Sequence, residues 1–224
     1  MRWRAGASAS KRSLYMRPTI VYLHGFRSSP ASTKARLLRE AVAALHADLR
    51  PVLHVPALDP RPAVAMATIL GLAAGVPPAQ LTLVGSSLGG FYACYAAERL
   101  GARAVLINPA VRPYDDLAPY RGRQTNLYTG EAFEVTERDF AELRALRVRQ
   151  ITRPERYFLM VQTGDEVLDY REAVRFYAGA WQFVEGGGDH AFRRFQVHLP
   201  TVLRFCGVGG PCGFMEEPSM LRRT

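Results

Sequence analysis

Short apolar runs recur along the chain, separated by longer stretches in which apolar residues fall at helical spacing. TIVYLHGF (19–26) is rich in β-branched and aromatic residues and bounded by Pro18 and Gly25, the signature of a buried strand. PVLHVPAL (51–58), QLTLVGS (80–86) and RAVLINPA (103–110) read the same way, as do RYFLMVQTGDE (156–166) and AWQFVEGGGDH (180–190). Between the first two runs, Leu37, Leu38, Val42 and Leu45 repeat at helical spacing after SSPAST, whose serines offer capping hydroxyls. Further helices are predicted over about 62–74, from Leu88 to a stop at Gly101, near 170–178 and near 194–206.

Strands that alternate with helices predict an α/β fold: a doubly wound, mostly parallel six-stranded sheet covered on both faces. The alternation breaks at 111–155, which holds no strong strand and one amphipathic helix, TERDFAELRAL (136–146). That stretch is too long for a plain connection and predicts a helical, cap-like insertion over a site. The domain is expected over 18–206, with a flexible leader at 1–17 and a flexible tail at 207–224.

Charge changes this picture little. The 224 residues carry a formal net charge of +9, but Arg2, Arg4, Lys11, Arg12 and Arg17 crowd into the leader, which has no acid. The rest carries about +4, which calls for no nucleic-acid partner. No apolar run is long enough to span a bilayer. The basic leader lacks the apolar core of a secretory signal. Cys94, Cys206 and Cys212 show no metal-ligand spacing, and Cys94 falls in an apolar helical pattern, as a core thiol would. An odd cysteine count without a framework suits a cytoplasmic protein.

Chemistry enters at TLVGSSLGG. A strand that turns sharply into a helix can hold an exposed serine at its apex, with small residues two positions to either side, giving G-x-S-x-G. Centred on Ser87, the flanks are Gly85 and Gly89; centred on Ser86, they are Val84 and Leu88 and fail. Ser87 is therefore the candidate nucleophile, and Ser86 at most lines the pocket floor. A hydroxyl needs a base held by a third group, and on this strand–turn–helix scaffold the order is serine, acid, histidine. Asp165 and His190 end the last two predicted strands, on the same sheet edge as Ser87. Glu166 and Asp169 rival Asp165, though Asp169 suits a helix cap. His198 lies on the last helix, and His46 and His54 precede the serine.

An oxyanion hole would use the backbone N–H of Leu88 and an N–H from the HGFRSSP loop, for which Phe26 is the choice. His24 shapes that loop. Arg27 and Ser28 point to the same edge, as substrate contacts or helix caps. Tyr114, Leu117, Tyr120, Leu127, Tyr128 and Phe133 form either an acyl pocket or the insertion's own small core. This chemistry needs no metal or organic cofactor. The expected partner is a small-molecule acyl substrate, and the protein is expected to be a monomer or small homo-oligomer.

With these pieces in order, the chain resembles the α/β-hydrolase superfamily and, more closely, the small bacterial YqiA-type esterases. YLHGFRSSPASTKA, LVGSSLGGFYA, LINPAVRPY, NLYTGEAF, QTGDEVLDY and GGDHAF carry the likeness, over about residues 19–206. It implies a minimal α/β-hydrolase fold with sheet order 2-1-3-4-5-6. It also implies carboxylic-ester hydrolysis through Ser87, Asp165 and His190. Acyl-thioester hydrolysis by the same residues and a non-catalytic binding module on the same scaffold are the alternatives. Arg112, Arg121 and Arg123 could meet the phosphates of an acyl-CoA, or form an ordinary basic face.

Overall fold

The computed structural model describes residues 17–209. The expected leader before Arg17, the tail beyond Gly209 and Cys212 lie outside the described residues.

Strands β1 (Thr19–Leu23), β2 (Val52–His54), β3 (Leu81–Ser86) and β4 (Arg103–Ile107) come first. A two-stranded antiparallel ribbon, β5 (Gly122–Thr125) with β6 (Ala132–Val135), interrupts them, and β7 (Tyr157–Gln162) and β8 (Trp181–Glu185) follow. The main sheet has six strands in the order β2-β1-β3-β4-β7-β8, and every neighbouring pair is parallel. With the ribbon set aside, this is the 2-1-3-4-5-6 order that the resemblance implied.

Helices α1 (Thr33–Ala44), α2 (Pro62–Ala73), α3 (Leu88–Leu100), α4 (Pro113–Asp116), α5 (Glu137–Ala145), α6 (Tyr170–Phe176) and α7 (Phe195–Phe205) complete the fold. Side chains alternate across a strand, so each central strand must bury both faces. Val21, Leu23, Leu83, Leu106 and Leu159 face one way, against residues of α2, α3 and α5. Ile20, Tyr22, Val84, Val105, Phe158 and Met160 face the other, against α1 and α7. Two cores on opposite faces account for the unbroken apolar strand sequences. Cys94 lies in the first core, where burial pushes its thiol up to about 12.

Gly101 ends α3 in the left-handed conformation, φ +70°, which costs glycine little and other residues more. Capping by serine at α1 does not occur. Ser32 occupies the N-cap position without a side-chain cap bond, and its buried hydroxyl has no hydrogen-bond partner among the described residues.

The 111–155 stretch corrects the sequence reading. It is not purely helical: α4 and α5 flank the β5–β6 ribbon. Each ribbon strand has four residues, GRQT and AFEV, and only Val135 among them is fully buried. GRQT has no apolar side chain and AFEV only Phe133 and Val135 on its inner face, runs too short for an alternation to be read. The ribbon is held at its turn, where the Asn126 side chain accepts the N–H groups of Tyr128 and Thr129 (2.9 and 3.1 Å).

Candidate active site

Strands β1 and β3 are neighbours at the centre of the sheet, and the chain leaves them toward opposite faces. A crevice forms at such a point, at the carboxyl ends of the strands. Ser87 follows β3 there with φ +55° and ψ −122°, a conformation that is strained for a residue with a Cβ. The surroundings over-determine it. Its N–H donates to Ile107 O (3.1 Å), and its carbonyl accepts from the N–H groups of Gly90 (2.8 Å) and Ala110 (3.1 Å).

The flanking glycines are steric requirements. A Cβ on Gly85 would lie 2.2 Å from Gly89 O, and one on Gly89 would lie 2.1 Å from Leu23 O. Both obstacles are backbone and cannot swing aside. Gly89→Ala is therefore expected to cost at least about 3 kcal/mol of stability, measured by urea unfolding. A change below about 0.5 kcal/mol, the level of a neutral surface substitution, would contradict this packing.

The structure brings Ser87, His190 and Asp165 together. His190 Nε2 lies 3.0 Å from Ser87 Oγ, and His190 Nδ1 lies 2.9 and 3.0 Å from the two Asp165 oxygens. A carboxylate can only accept, so Nδ1 carries the proton and Nε2 is left to accept from the serine. Asp165 Oδ1 also accepts from Val167 N–H and Leu168 N–H (both 2.9 Å). These bonds fix the carboxylate, whose side chain is 2% exposed. The rival groups are placed elsewhere. Asp169 caps α6 by accepting from Arg171 N–H, and Glu166 accepts the His190 backbone N–H (3.0 Å). His198 packs between Phe183 and Phe192, and His46 is exposed.

Two backbone donors face the same edge. The N–H groups of Phe26 and Leu88 have no acceptor among the described residues, and both residues line one recess. Leu88 opens α3, so its N–H also sits at the positive end of a helix dipole. His24 holds the Phe26 loop. Its Nε2 accepts from Leu58 N–H (3.1 Å), which leaves Nδ1–H to donate to Gly25 O (3.0 Å). Burial pushes the imidazolium form of His24 down, so the ring stays neutral.

Three further expectations fare differently. Arg27 lines the recess, but its Nε donates to Thr125 O (2.9 Å) and its carbonyl accepts Leu127 N–H (2.9 Å). It braces the ribbon against the loop. Ser86 is 5% exposed and lines neither this recess nor the cleft beside it. Tyr128 lines neither as well and is 49% exposed at the ribbon turn.

The sequence reading missed the residues that hold the His190 segment. Lys34 Nζ donates to Ala191 O (2.7 Å), and burial pushes its ammonium down to about 8 against the opposing pull of Asp189 and Asp165. Asn108 and Gln162 bond the same segment from below. Each ends an apolar strand run with a lone polar residue, a signal legible in LIN and MVQ.

Solved structures share this architecture. A provisionally assigned hydrolase from Agrobacterium vitis S4 superposes with a TM-score of 0.64 at 22% identity, over 85% of this chain and 88% of that one. The mouse alpha/beta hydrolase domain-containing protein 10 gives 0.63 at 18%, over 83% and 88%. The esterase domain of a Rhodothermus marinus protein gives 0.57 at 17%, over 87% and 90%. What is shared at these identities is the α/β-hydrolase fold. Residues 19–207 match the family described as "Uncharacterised protein family (UPF0227)", and the chain belongs to that family.

Proposed function

We propose that this protein is a serine hydrolase that cleaves carboxylic esters through an acyl-enzyme on Ser87. The observation that carries the reading is the unbroken chain of hydrogen bonds from Ser87 Oγ through His190 to Asp165, facing two uncommitted N–H groups. Ser87 Oγ attacks the ester carbonyl while its proton passes to His190 Nε2. The carbonyl oxygen becomes an oxyanion, stabilised by the N–H groups of Phe26 and Leu88. Collapse breaks the C–O bond, and the leaving alcohol takes the proton from Nε2. Water then adds to the acyl-enzyme by the same route and releases the acid. Asp165 holds the imidazole in the required tautomer and stabilises the imidazolium.

Substrate space adjoins the two donors. A cleft of about 430 Å³ runs between the Ser28–Pro30 loop, Ala57–Pro60 and the ribbon at Asn126–Phe133. It shares Leu58, Asn126 and Phe133 with the small recess that holds Phe26 and Leu88. We place the acyl group there. Leu58→Trp narrows the cleft and leaves the backbone bond to His24 in place. It is expected to raise KM for p-nitrophenyl hexanoate by about tenfold and to leave the acetate ester within about twofold. Equal changes on both esters would put the acyl group elsewhere.

Ester cleavage is favoured over acyl-CoA cleavage because two of the three candidate phosphate ligands are committed. Arg112 pairs with Glu172 (2.6 Å), and Arg121 pairs with Glu137 (2.5 Å). Purified protein assayed on matched p-nitrophenyl esters and thioesters tests the reading. Turnover above the buffer rate, with esters at least as good as thioesters, is expected. No turnover on either series would favour the binding-module alternative.

A further inference from the structure

His190 lies between β8 and α7, on a segment that belongs to no regular element. Besides Lys34 and Glu166, a pair of buried side-chain amides holds it. Asn108 follows β4 and Gln162 ends β7; each is 2% exposed. Asn108 adopts φ +40°, and its N–H donates to Met160 O (2.9 Å). Its Nδ2 donates to Asp189 O (3.0 Å) and His190 O (3.2 Å), and its Oδ1 accepts Gln162 N–H (3.0 Å). Gln162 takes the other end of the segment. Its Oε1 accepts the N–H groups of Asp189 (3.1 Å) and Arg193 (2.8 Å), and its Nε2 donates to Arg193 O (2.9 Å) and Glu185 Oε2 (2.6 Å). Both nitrogens spend both of their N–H groups and Gln162 Oε1 accepts twice, so neither amide has a spare donor. The fit is close: a Cβ on Gly188 would lie 2.0 Å from Gln162 Oε1.

We propose that Asn108 and Gln162 are positioning residues that together set where His190 Nε2 meets Ser87, a role that rests on the hydrolase reading above. Among the described residues, neither hydrogen-bonds to Ser87 or to the imidazole. They act through the main chain on both sides of the histidine, one through the carbonyls of Asp189 and His190, the other through the N–H groups of Asp189 and Arg193. A carboxamide is the side chain that can do this, because it offers a donor and an acceptor on one rigid plane. An isosteric carboxylate keeps the shape and the acceptors but loses every donor.

The test uses Asn108→Asp and Gln162→Glu, which preserve volume, alongside Asn108→Ala. Two readouts are taken on the full chain: ester kinetics, and the downfield proton resonance of a His190 Nδ1–H bonded to Asp165, assigned by its absence in His190→Gln. We expect kcat to fall by about 10²-fold with KM within about twofold, and the resonance to be lost or shifted. Asn108→Asp combined with Gln162→Glu should lose less than the product of the single losses, since the two residues hold one segment. Wild-type kcat with an unchanged resonance in cooperatively folding variants would overturn the proposal. So would a fall in kcat with the resonance intact, or failure of both isosteres to fold, which would assign the amides to the fold alone. If the wild-type protein turns over no ester, the hydrolase reading fails, and the resonance still decides whether the amides position His190.

Discussion

Ser87→Ala is expected to lower kcat on a p-nitrophenyl ester by about 10⁶-fold, the scale of loss when the nucleophile of a serine hydrolase is removed. The substitution is a clean one. Alanine keeps the Cβ that Ser87 already carries at φ +55°, so it adds no strain to the turn. Among the described residues the serine side chain makes one hydrogen bond, to His190 Nε2, and the backbone bonds to Ile107, Gly90 and Ala110 survive. Unfolding in urea should therefore change by no more than about 1 kcal/mol. A variant that keeps more than about a tenth of wild-type kcat would remove Ser87 from the chemistry.

Asp165→Asn should cost about 10⁴-fold in kcat with the fold intact. The Asn Oδ1 can still accept the N–H groups of Val167 and Leu168, so the loop after β7 keeps its anchor. The Asn NH₂ then faces Nδ1 and favours the tautomer with the proton on Nε2. That nitrogen can no longer take a proton from Ser87. KM should stay within about twofold, because the loss falls on the transition state. Glu166→Gln and Asp169→Asn serve as controls, since those carboxylates bond backbone N–H groups and not the imidazole. A loss in either control that matches Asp165→Asn would move the acid role.

How much of this was legible in the chain follows from where information sits. The central strands were plain because burial on both faces writes an unbroken apolar run, as in YFLMVQ, where all six residues are buried. The Ser87 turn was plain because only glycine avoids the backbone of Leu23 and Gly89. The β5–β6 ribbon was hidden. Its side chains bury little, and its placement comes from bonds to distant main-chain carbonyls, such as Leu127 N–H to Arg27 O and Asn126 Nδ2 to Ser28 O. Whether Tyr128 or Ser86 meets a substrate depends on side-chain direction, which residue type does not encode. Asn108 and Gln162 carried a signal, a polar residue closing an apolar strand, whose meaning depends on a segment about eighty and thirty residues away.

The central claim is that Ser87 is an activated nucleophile, and covalent labelling tests it most directly. A fluorophosphonate ester mimics the tetrahedral intermediate and reacts with a serine only where a base takes the proton and donors hold the oxygen. Incubation followed by intact-mass and peptide mapping should show one adduct per chain, on the Ser87 peptide. No adduct, or an adduct on any other residue, would contradict the account.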